Sequence, residues 1–359
     1  MTVNEYLLDE PDEIAAADPG GMVGEVAAAP ALFRQAITTA YEADLRSVGE
    51  LGRPRAVVVT GMGGSGISGD VLGAVAGSRS PVPVVTHRGY SLPAWVGAAD
   101  VVVAVSCSGQ TEETLSATEE AVRRGARVVT IGAEGSPLAD LGARGRGVHV
   151  PVAPGGVPRA RLWSLAVPVL VLGDILGVCA APRADLDATA DLLDVLTERY
   201  KPAKESFLNP AKELAVKYAD PLPVVWGTSP LAGVAAYRMA CQFNENADRP
   251  ATWGVLPEAN HNQVVPFDDP EAPERFRLLF LRDSEEHPSV ARRVEASQEL
   301  ARERGIGLDE VVAEGTSPTS RIASLVAIGD FATTYLALVT GIDPTAMEPI
   351  NQLKARISE

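Results

Sequence analysis

At 359 residues, with 46% hydrophobic and 22% charged residues, the chain is long enough for two cores and too apolar for a disordered polymer. Its 47 acidic residues against 31 basic ones give a formal net charge of −16, which argues against nucleic acid and anionic membranes as partners, because both need basic patches. A site for an anionic ligand must therefore be local, made of amides, hydroxyls and a few cations.

Residues 1–50 read as a helical segment, interrupted at Asp18, Pro19, Gly20 and Gly21, with an amphipathic stretch from about 31 to 51. The acidic N-terminus lacks the basic-then-apolar pattern of a signal peptide. From Pro54 the pattern becomes strand, loop, helix. Strands are predicted at 56–60, 81–87, 101–106 and 126–132, the last closing the run, with helices at 68–77 and 112–124. Short apolar strands alternating with helices predict a parallel sheet with right-handed crossovers. The apolar stretch 162–180 follows; it carries Pro168 and Asp174 and reads as a buried helix rather than a membrane span. A charged helix is predicted at 184–200.

A second α/β unit is predicted to begin near Pro202. Its strands are 222–230, 275–282 and 307–314, its helices 289–304 and 317–340, and a tail helix runs through Lys354 after a turn at Asp343 and Pro344. VVWGTSPLAG (224–233) echoes VVVTGMGGSG (57–66), which points to two related lobes. These boundaries divide the chain into an N-terminal helical segment (1–50), two α/β domains (51–184 and 185–340) and a C-terminal tail helix (341–359). Cys107, Cys179 and Cys241 are widely spaced with no C-x-x-C, which fits buried thiols in a reducing cytoplasm.

Two loops carry the chemistry. In VVVAVSCSGQTEET (101–114) an apolar run stops at Ser106, Ser108, Gly109 and Thr111, just before a helix, and VVVTGMGGSGISGD (57–70) has the same design. Hydroxyls and glycines at a strand-to-helix switch suit an oxyanion, because free backbone N–H groups and the helix dipole both point there. Together they predict one cradle for a phosphorylated small molecule. Gly61, Gly63 and Gly66 also satisfy G-x-G-x-x-G, the dinucleotide fingerprint. The acidic residue expected about 20 positions on is replaced by Thr86, His87 and Arg88, although Arg88 could serve a 2′-phosphate, so a nicotinamide dinucleotide phosphate stays open. No lysine follows the glycines, which excludes a triphosphate P-loop.

Residues 106–113, S-x-S-G-x-T-x-E, resemble the phosphate loop of sugar isomerase (SIS) domains. Around them GMGGSGISGD (61–70), GGVPRA (155–160), QFNEN (242–246), EANHN (258–262) and DPT…LK (343–354) occur in the order seen in bifunctional phosphoglucose/phosphomannose isomerases. The resemblance covers most of residues 54–359. It implies two SIS-type, flavodoxin-like αβα lobes with parallel sheets, and no cofactor. It also implies that Gly64, Ser65, Ser106, Ser108 and Thr111 bind a substrate phosphate, and that fructose 6-phosphate is interconverted with glucose 6-phosphate, mannose 6-phosphate or both.

Aldose–ketose isomerisation removes a weakly acidic proton beside a carbonyl and returns it to the neighbouring carbon. That calls for a carboxylate base, a cation or donor for the enediolate oxygen, and a group that opens the sugar ring. Glu245, between Asn244 and Asn246, is the candidate base; a solvated or salt-bridged helix residue is the alternative. Arg159 corresponds by position to the family's enediolate-stabilising arginine. His261, one of four histidines, lies between Asn260 and Asn262, and neutral imidazole near pH 7 can move ring protons. By the resemblance it opens the ring from across the interface of a homodimer, with Glu258 as a supporting residue. Lys354, one of five lysines, matches the family's ring-opening lysine, with a helix-end cation as the alternative.

Two positions depart from the family pattern: Asp248 replaces the lysine of NENAK, and Gln263 the glutamate of NHNE. Both could alter pKa tuning, dimer contacts or substrate preference. The rival reading is a non-catalytic phosphosugar-binding regulatory protein, although no basic helix-turn-helix is visible. No cysteine follows Met1, which disfavours a glutamine-dependent aminosugar synthase. Glu258-x-x-His261 alone supplies too few ligands for a metal.

Overall fold

Val57–Thr60 and Val101–Ser106 are almost entirely β-branched, and every residue of both is buried in the computed structural model, which describes residues 3–357. Strands buried on both faces lie at the centre of parallel sheets covered by helices. In chain order the elements are α1 (Pro11–Ala17), α2 (Met22–Ala27), α3 (Ala29–Glu42), α4 (Leu45–Glu50), β1 (Val57–Thr60), α5 (Gly63–Ala76), β2 (Val84–His87) and β3 (Val101–Ser106). Then come α6 (Glu112–Arg123), β4 (Arg127–Ala133), α7 (Pro137–Arg144), β5 (Val148–Val152), α8 (Leu162–Ile175), α9 (Arg183–Tyr200) and α10 (Pro210–Lys217). The remainder is β6 (Leu222–Gly227), α11 (Pro230–Ala247), β7 (Thr252–Val255), α12 (Ala272–Arg275), β8 (Phe276–Arg282), α13 (Pro288–Glu303), β9 (Leu308–Val312), α14 (Pro318–Val339) and α15 (Glu348–Ile357).

The described residues fall into two compact units. One comprises Ala28–Asp194 with Gly315–Ala323 and holds a five-stranded sheet of order β2-β1-β3-β4-β5; the other described residues form the second, around a four-stranded sheet of order β7-β6-β8-β9. Every strand pair is parallel. Each sheet therefore places its second strand on one side of its first and its third on the other, the flavodoxin-like order. The dinucleotide fold runs 3-2-1-4-5-6 instead, so the glycines at 61, 63 and 66 serve a different topology. The echo between 57–66 and 224–233 is matched by equivalent strand-then-helix units, β1–α5 and β6–α11.

Several expected boundaries move. The strand run of the first sheet does not close at 132, because β5 adds an edge that carries exposed Pro151; proline is tolerated on edges, where its missing N–H is not needed. Edge strand β7 was also not anticipated: it is four residues long, with Thr252 and Trp253 exposed, so no apolar run marks it. Helix α5 begins at Gly63, five residues earlier than read, since the glycines themselves form its first turn. The stretch 31–51 forms two helices, α3 and α4, and α8 ends at Ile175. The break at 18–21 is a helix cap, with the Asp18 carboxylate accepting the Met22 and Val23 N–H groups at 2.8 Å each.

Two polar anchors hold the interior of the four-stranded unit. The Lys212 ammonium is fully buried and donates to the carbonyls of Leu8, Pro202 and Lys204, fastening the N-terminal turn to the loop before α10. Arg238 of α11 grips Asp330 of α14 with two bonds, Nε to Oδ1 at 3.1 Å and Nη2 to Oδ2 at 2.7 Å, and Gln242 adds a third at 3.2 Å. Burial pushes the Asp330 carboxyl up, while Arg238 and then Gln242 pull against that shift. Among the described residues α14 alone is long and apolar enough to cross a membrane, and its most apolar window is completely buried as a core helix.

Replacing one partner of a buried ion pair leaves the other charge uncompensated. Asp330→Ala is expected to lower stability by about 3–5 kcal/mol, read as a shifted urea midpoint. An unchanged midpoint would contradict the anchoring role.

Candidate functional site

In open parallel sheets a ligand binds beyond the carboxyl ends of the strands, where the winding reverses. In the five-stranded unit that point lies between β1 and β3, and the two hydroxyl-rich loops leave from these strands. Glycine is required where they meet. A Cβ on Gly61 would lie 2.8 Å from the Val105 carbonyl oxygen, and one on Gly66 would lie 2.7 Å from the Gly61 oxygen. Gly63 has φ +52° and opens α5. Gly64 and Ser65, in the first turn of α5, are both half-buried, as the surface of a ligand cradle must be in part. The N-cap of α5 is Met62, which offers no side-chain acceptor, although its carbonyl takes the Ser65 and Gly66 N–H groups at 3.0 and 3.2 Å.

The second loop is folded on its own hydroxyls. Buried Ser106 Oγ lies 2.9 Å from Thr111 Oγ1 and accepts the Gly109 N–H at 3.1 Å, while Ser108 Oγ accepts the Gln110 N–H at 3.2 Å. Thr111 is the N-cap of α6, yet its side chain turns to Ser106 and makes no cap bond. Gly109 has φ +66°, and a Cβ there would come within 2.1 Å of Ser136 Oγ. The loop is thus closely seated against the start of α7, and the Leu138 N–H donates to the Gly109 carbonyl at 3.1 Å.

The segment after β5 carries two buried arginines. Arg159, in the 3-10 turn Pro158–Ala160, is buried, and so is Arg161, whose Nη1 donates to the Ala153 carbonyl at 2.8 Å. Burial pushes the Cys107 thiol up, and the Arg161 guanidinium opposes that shift, so its positive field reaches the loop between Ser106 and Ser108. The sequence singles out Arg159 alone; the burial of Arg161 and its effect on Cys107 add it to the local positive potential. Arg88 pairs with Asp70 of α5, and its Nε would lie 2.9 Å from a Cβ on Gly66.

The equivalent point of the four-stranded unit is built differently. A Cβ on Gly227 would lie 2.3 Å from the Gly233 N, repeating the tight strand–helix approach. Here the anion is part of the chain. Asp283, just after β8, takes the Ser229 hydroxyl on Oδ2 at 2.7 Å, and its N–H donates to Thr228 Oγ1 at 2.9 Å. Ser229 in turn caps α11 by accepting the Ala232 N–H at 3.1 Å. Sequence reading did not find Asp283, which lies 54 residues from Ser229 in a turn without a motif.

The four-stranded unit carries the remaining candidates. Glu245 lies in the last turn of α11 and is half-buried. Successive helix residues point about 100° apart, and each flanking amide has a partner of its own. Asn244 Nδ2 donates to the Ala240 carbonyl at 2.8 Å, and buried Asn246 Nδ2 to Thr333 Oγ1 of α14 at 3.0 Å. Asp248 ends the helix in the left-handed region at φ 49°, a conformation that aspartate tolerates. His261 ends the 3-10 turn Glu258–His261 with its side chain exposed; Glu258 is also exposed and accepts from Asn262 Nδ2 at 3.2 Å. Lys354 is exposed in the last turn of α15. The structure thus groups Gly64, Ser65, Ser106, Ser108, Thr111 and Arg159 in one unit, and Glu245, His261 and Lys354 in the other. Among the described residues no cluster of three or more His, Cys, Asp or Glu could hold a metal ion.

Residues 50–176 match the SIS domain family, and residues 207–357 match the bacterial phospho-glucose isomerase C-terminal SIS domain family. The chain is 35% identical over 305 residues to the bifunctional phosphoglucose/phosphomannose isomerase of Caldicellulosiruptor bescii, covering 84% of this chain and 89% of that one. The protein of the same description from Thermoplasma acidophilum is 34% identical over 305 residues, with the same coverage of 84% and 89%. Among solved structures, a hypothetical protein of Thermus thermophilus superposes with a TM-score of 0.76 at 16% identity, over 98% of this chain and 94% of that one, a likeness of fold alone.

An L-residue in the left-handed region costs roughly 1–2 kcal/mol, and Gly109→Ala also forces Ser136 aside. This substitution is expected to weaken binding of a sugar phosphate by roughly tenfold or more, since 1.4 kcal/mol is tenfold. Calorimetry would show it, and an unchanged Kd would remove the loop from the cradle.

Proposed function

The chain belongs to the bifunctional phosphoglucose/phosphomannose isomerase family, and from that premise we propose that it interconverts fructose 6-phosphate with glucose 6-phosphate, mannose 6-phosphate or both through a cis-enediol. The observation that carries this reading is the cradle at the β1/β3 switch point. There hydroxyls at Ser65, Ser106, Ser108 and Thr111 border two helices with no side-chain cap, α5 and α6. Such a cradle suits a phosphate at one end of a small substrate and leaves the carbonyl end for other residues.

The chemistry then divides as follows. His261 and Lys354 open the ring by moving the anomeric hydroxyl proton to the ring oxygen. The Glu245 carboxylate takes the C2 proton of the open aldose, a proton passes from the C2 hydroxyl to the C1 oxygen across the cis-enediolate, and Glu245 returns its proton to C1, which leaves the carbonyl at C2 in the ketose. Arg159 steadies the negative charge that develops on the enediolate oxygen. Glucose and mannose phosphates differ only at C2, so both pass through one enediol, and a single base serves either when C2 can present both faces to it.

The proposed assembly is a homodimer in the cytoplasm. Exposure of the His261 side chain on its own unit supports donation into the site of a second copy, with Glu258 beside it at the same edge. Cys107 and Cys179 form no disulfide, which fits a reducing compartment.

Glu245→Gln keeps the shape and removes the base. It is expected to lower turnover of fructose 6-phosphate by roughly 10²–10⁴-fold, the usual contribution of general acid–base catalysis, while phosphosugar affinity holds. A coupled assay checks this, and parent-level turnover in the variant would remove Glu245 as base.

A further inference from the structure

Gln263 follows the His261 turn, and its carboxamide is fixed at both ends. The Trp226 indole N–H donates to Oε1 at 2.6 Å, and Nε2 donates to the Trp253 carbonyl at 3.2 Å. An indole N–H only donates and a backbone carbonyl only accepts, so chemistry dictates which way the amide lies. Trp226, in β6, is fully buried, with its ring centroid 5.9 Å from that of Phe267 and 5.6 Å from that of Phe280. Trp253, in β7, packs on Tyr237 of α11 at 5.0 Å between centroids. Space for the amide comes from Gly254. A Cβ there would lie 2.9 Å from each amide atom of Gln263 and 3.0 Å from the Ala259 Cβ.

The backbone joins in, since the Gln263 N–H donates to the Ala259 carbonyl at 2.8 Å. On the other side of His261, Asn260 Nδ2 donates to Ser297 Oγ of α13 at 2.8 Å. The turn is thus anchored before and after an exposed histidine whose own side chain lacks the burial to hold it. Of these anchors, the Gln263 amide alone bridges two strands of the sheet.

We propose that Gln263 is a positioning residue for ring opening, its carboxamide between Trp226 and Trp253 setting the direction in which His261 leaves the turn. The inference rests on the assignment of ring opening to His261. It makes a sharp chemical demand: the side chain must accept at one atom and donate at the other. An ionised glutamate accepts but cannot donate, and sets a charged oxygen against the Trp253 carbonyl. A protonated glutamic acid reproduces both bonds. β6 and β7 carry no ionisable side chain, the turn itself contributes Glu258 and His261, Tyr237 lies on the Trp253 ring, and α13, which holds Asn260 through Ser297, carries Arg293 one turn before that serine.

The test uses the full chain with Gln263→Glu, Gln263→Leu and His261→Ala, following fructose 6-phosphate turnover from about pH 8 down to about pH 5.5, towards the carboxyl range. Gln263→Leu is expected to lose kcat by roughly ten- to a hundredfold at every pH, the scale of a misplaced catalytic group. Gln263→Glu should lose as much at the alkaline end and regain activity relative to the parent as the pH falls. Affinity for glucitol 6-phosphate, which has no ring to open, should stay at the parent value in both, where general damage to the fold would lower it. Loss without acid recovery in Gln263→Glu, or weakened glucitol 6-phosphate binding, overturns the inference. Parent-level kcat in both Gln263 variants beside an impaired His261→Ala also overturns it alone. Parent-level turnover in His261→Ala overturns the ring-opening assignment and this inference together.

Discussion

The approach of α5 to the carboxyl end of β3 is the contact on which the cradle depends. Gly61 lies against the Val105 carbonyl and Gly66 against Gly61, with no room for a Cβ at either place. That closeness brings the start of α5 to the loop that leaves β3, so helix N–H groups and the hydroxyls of Ser106 and Thr111 border one small space. Parallel pairing supplies the other half of the geometry. β1 and β3 run in the same direction and in register, Thr60 beside Ala104, so both loops emerge on one edge of the sheet.

A different constraint governs the helix that bears Glu245. Arg238, Gln242 and Asn246 recur every four residues along α11 and meet Asp330 and Thr333 of α14. This buried polar seam fixes the roll of α11 about its axis more strictly than apolar contacts would, because each bond has a direction. Glu245, one position before Asn246, takes its heading from that roll. The same seam holds Asn246 through Thr333, while Asn244 donates back to the Ala240 carbonyl within the helix.

What was legible in the sequence follows from locality. The buried strands β1, β3, β4, β6 and β8 each advertise themselves through an apolar run, and the Ser106–Thr111 loop folds on bonds that span five residues or fewer. Edge strands β5 and β7 expose part of their length, so neither apolar periodicity nor β-propensity separates them from loops. The clamp on Gln263 joins residues 37 and 10 positions away, and the Asp283 bond spans 54. Nothing in the local pattern reports such pairs. Arg161 was passed over for a related reason: an arginine in a Gly/Pro-rich loop looks solvated until the fold buries it.

The two sheets share a plan but not a ligand economy. In the four-stranded unit Asp283 accepts the Ser229 hydroxyl, and Ser229 in turn caps α11. A carboxylate tethered to the chain acts at an effective concentration set by the fold rather than by the cell. The carboxylate thus fixes this loop with the chain's own charge, across 54 positions of sequence, where the Ser106–Thr111 loop is fixed by its own hydroxyls.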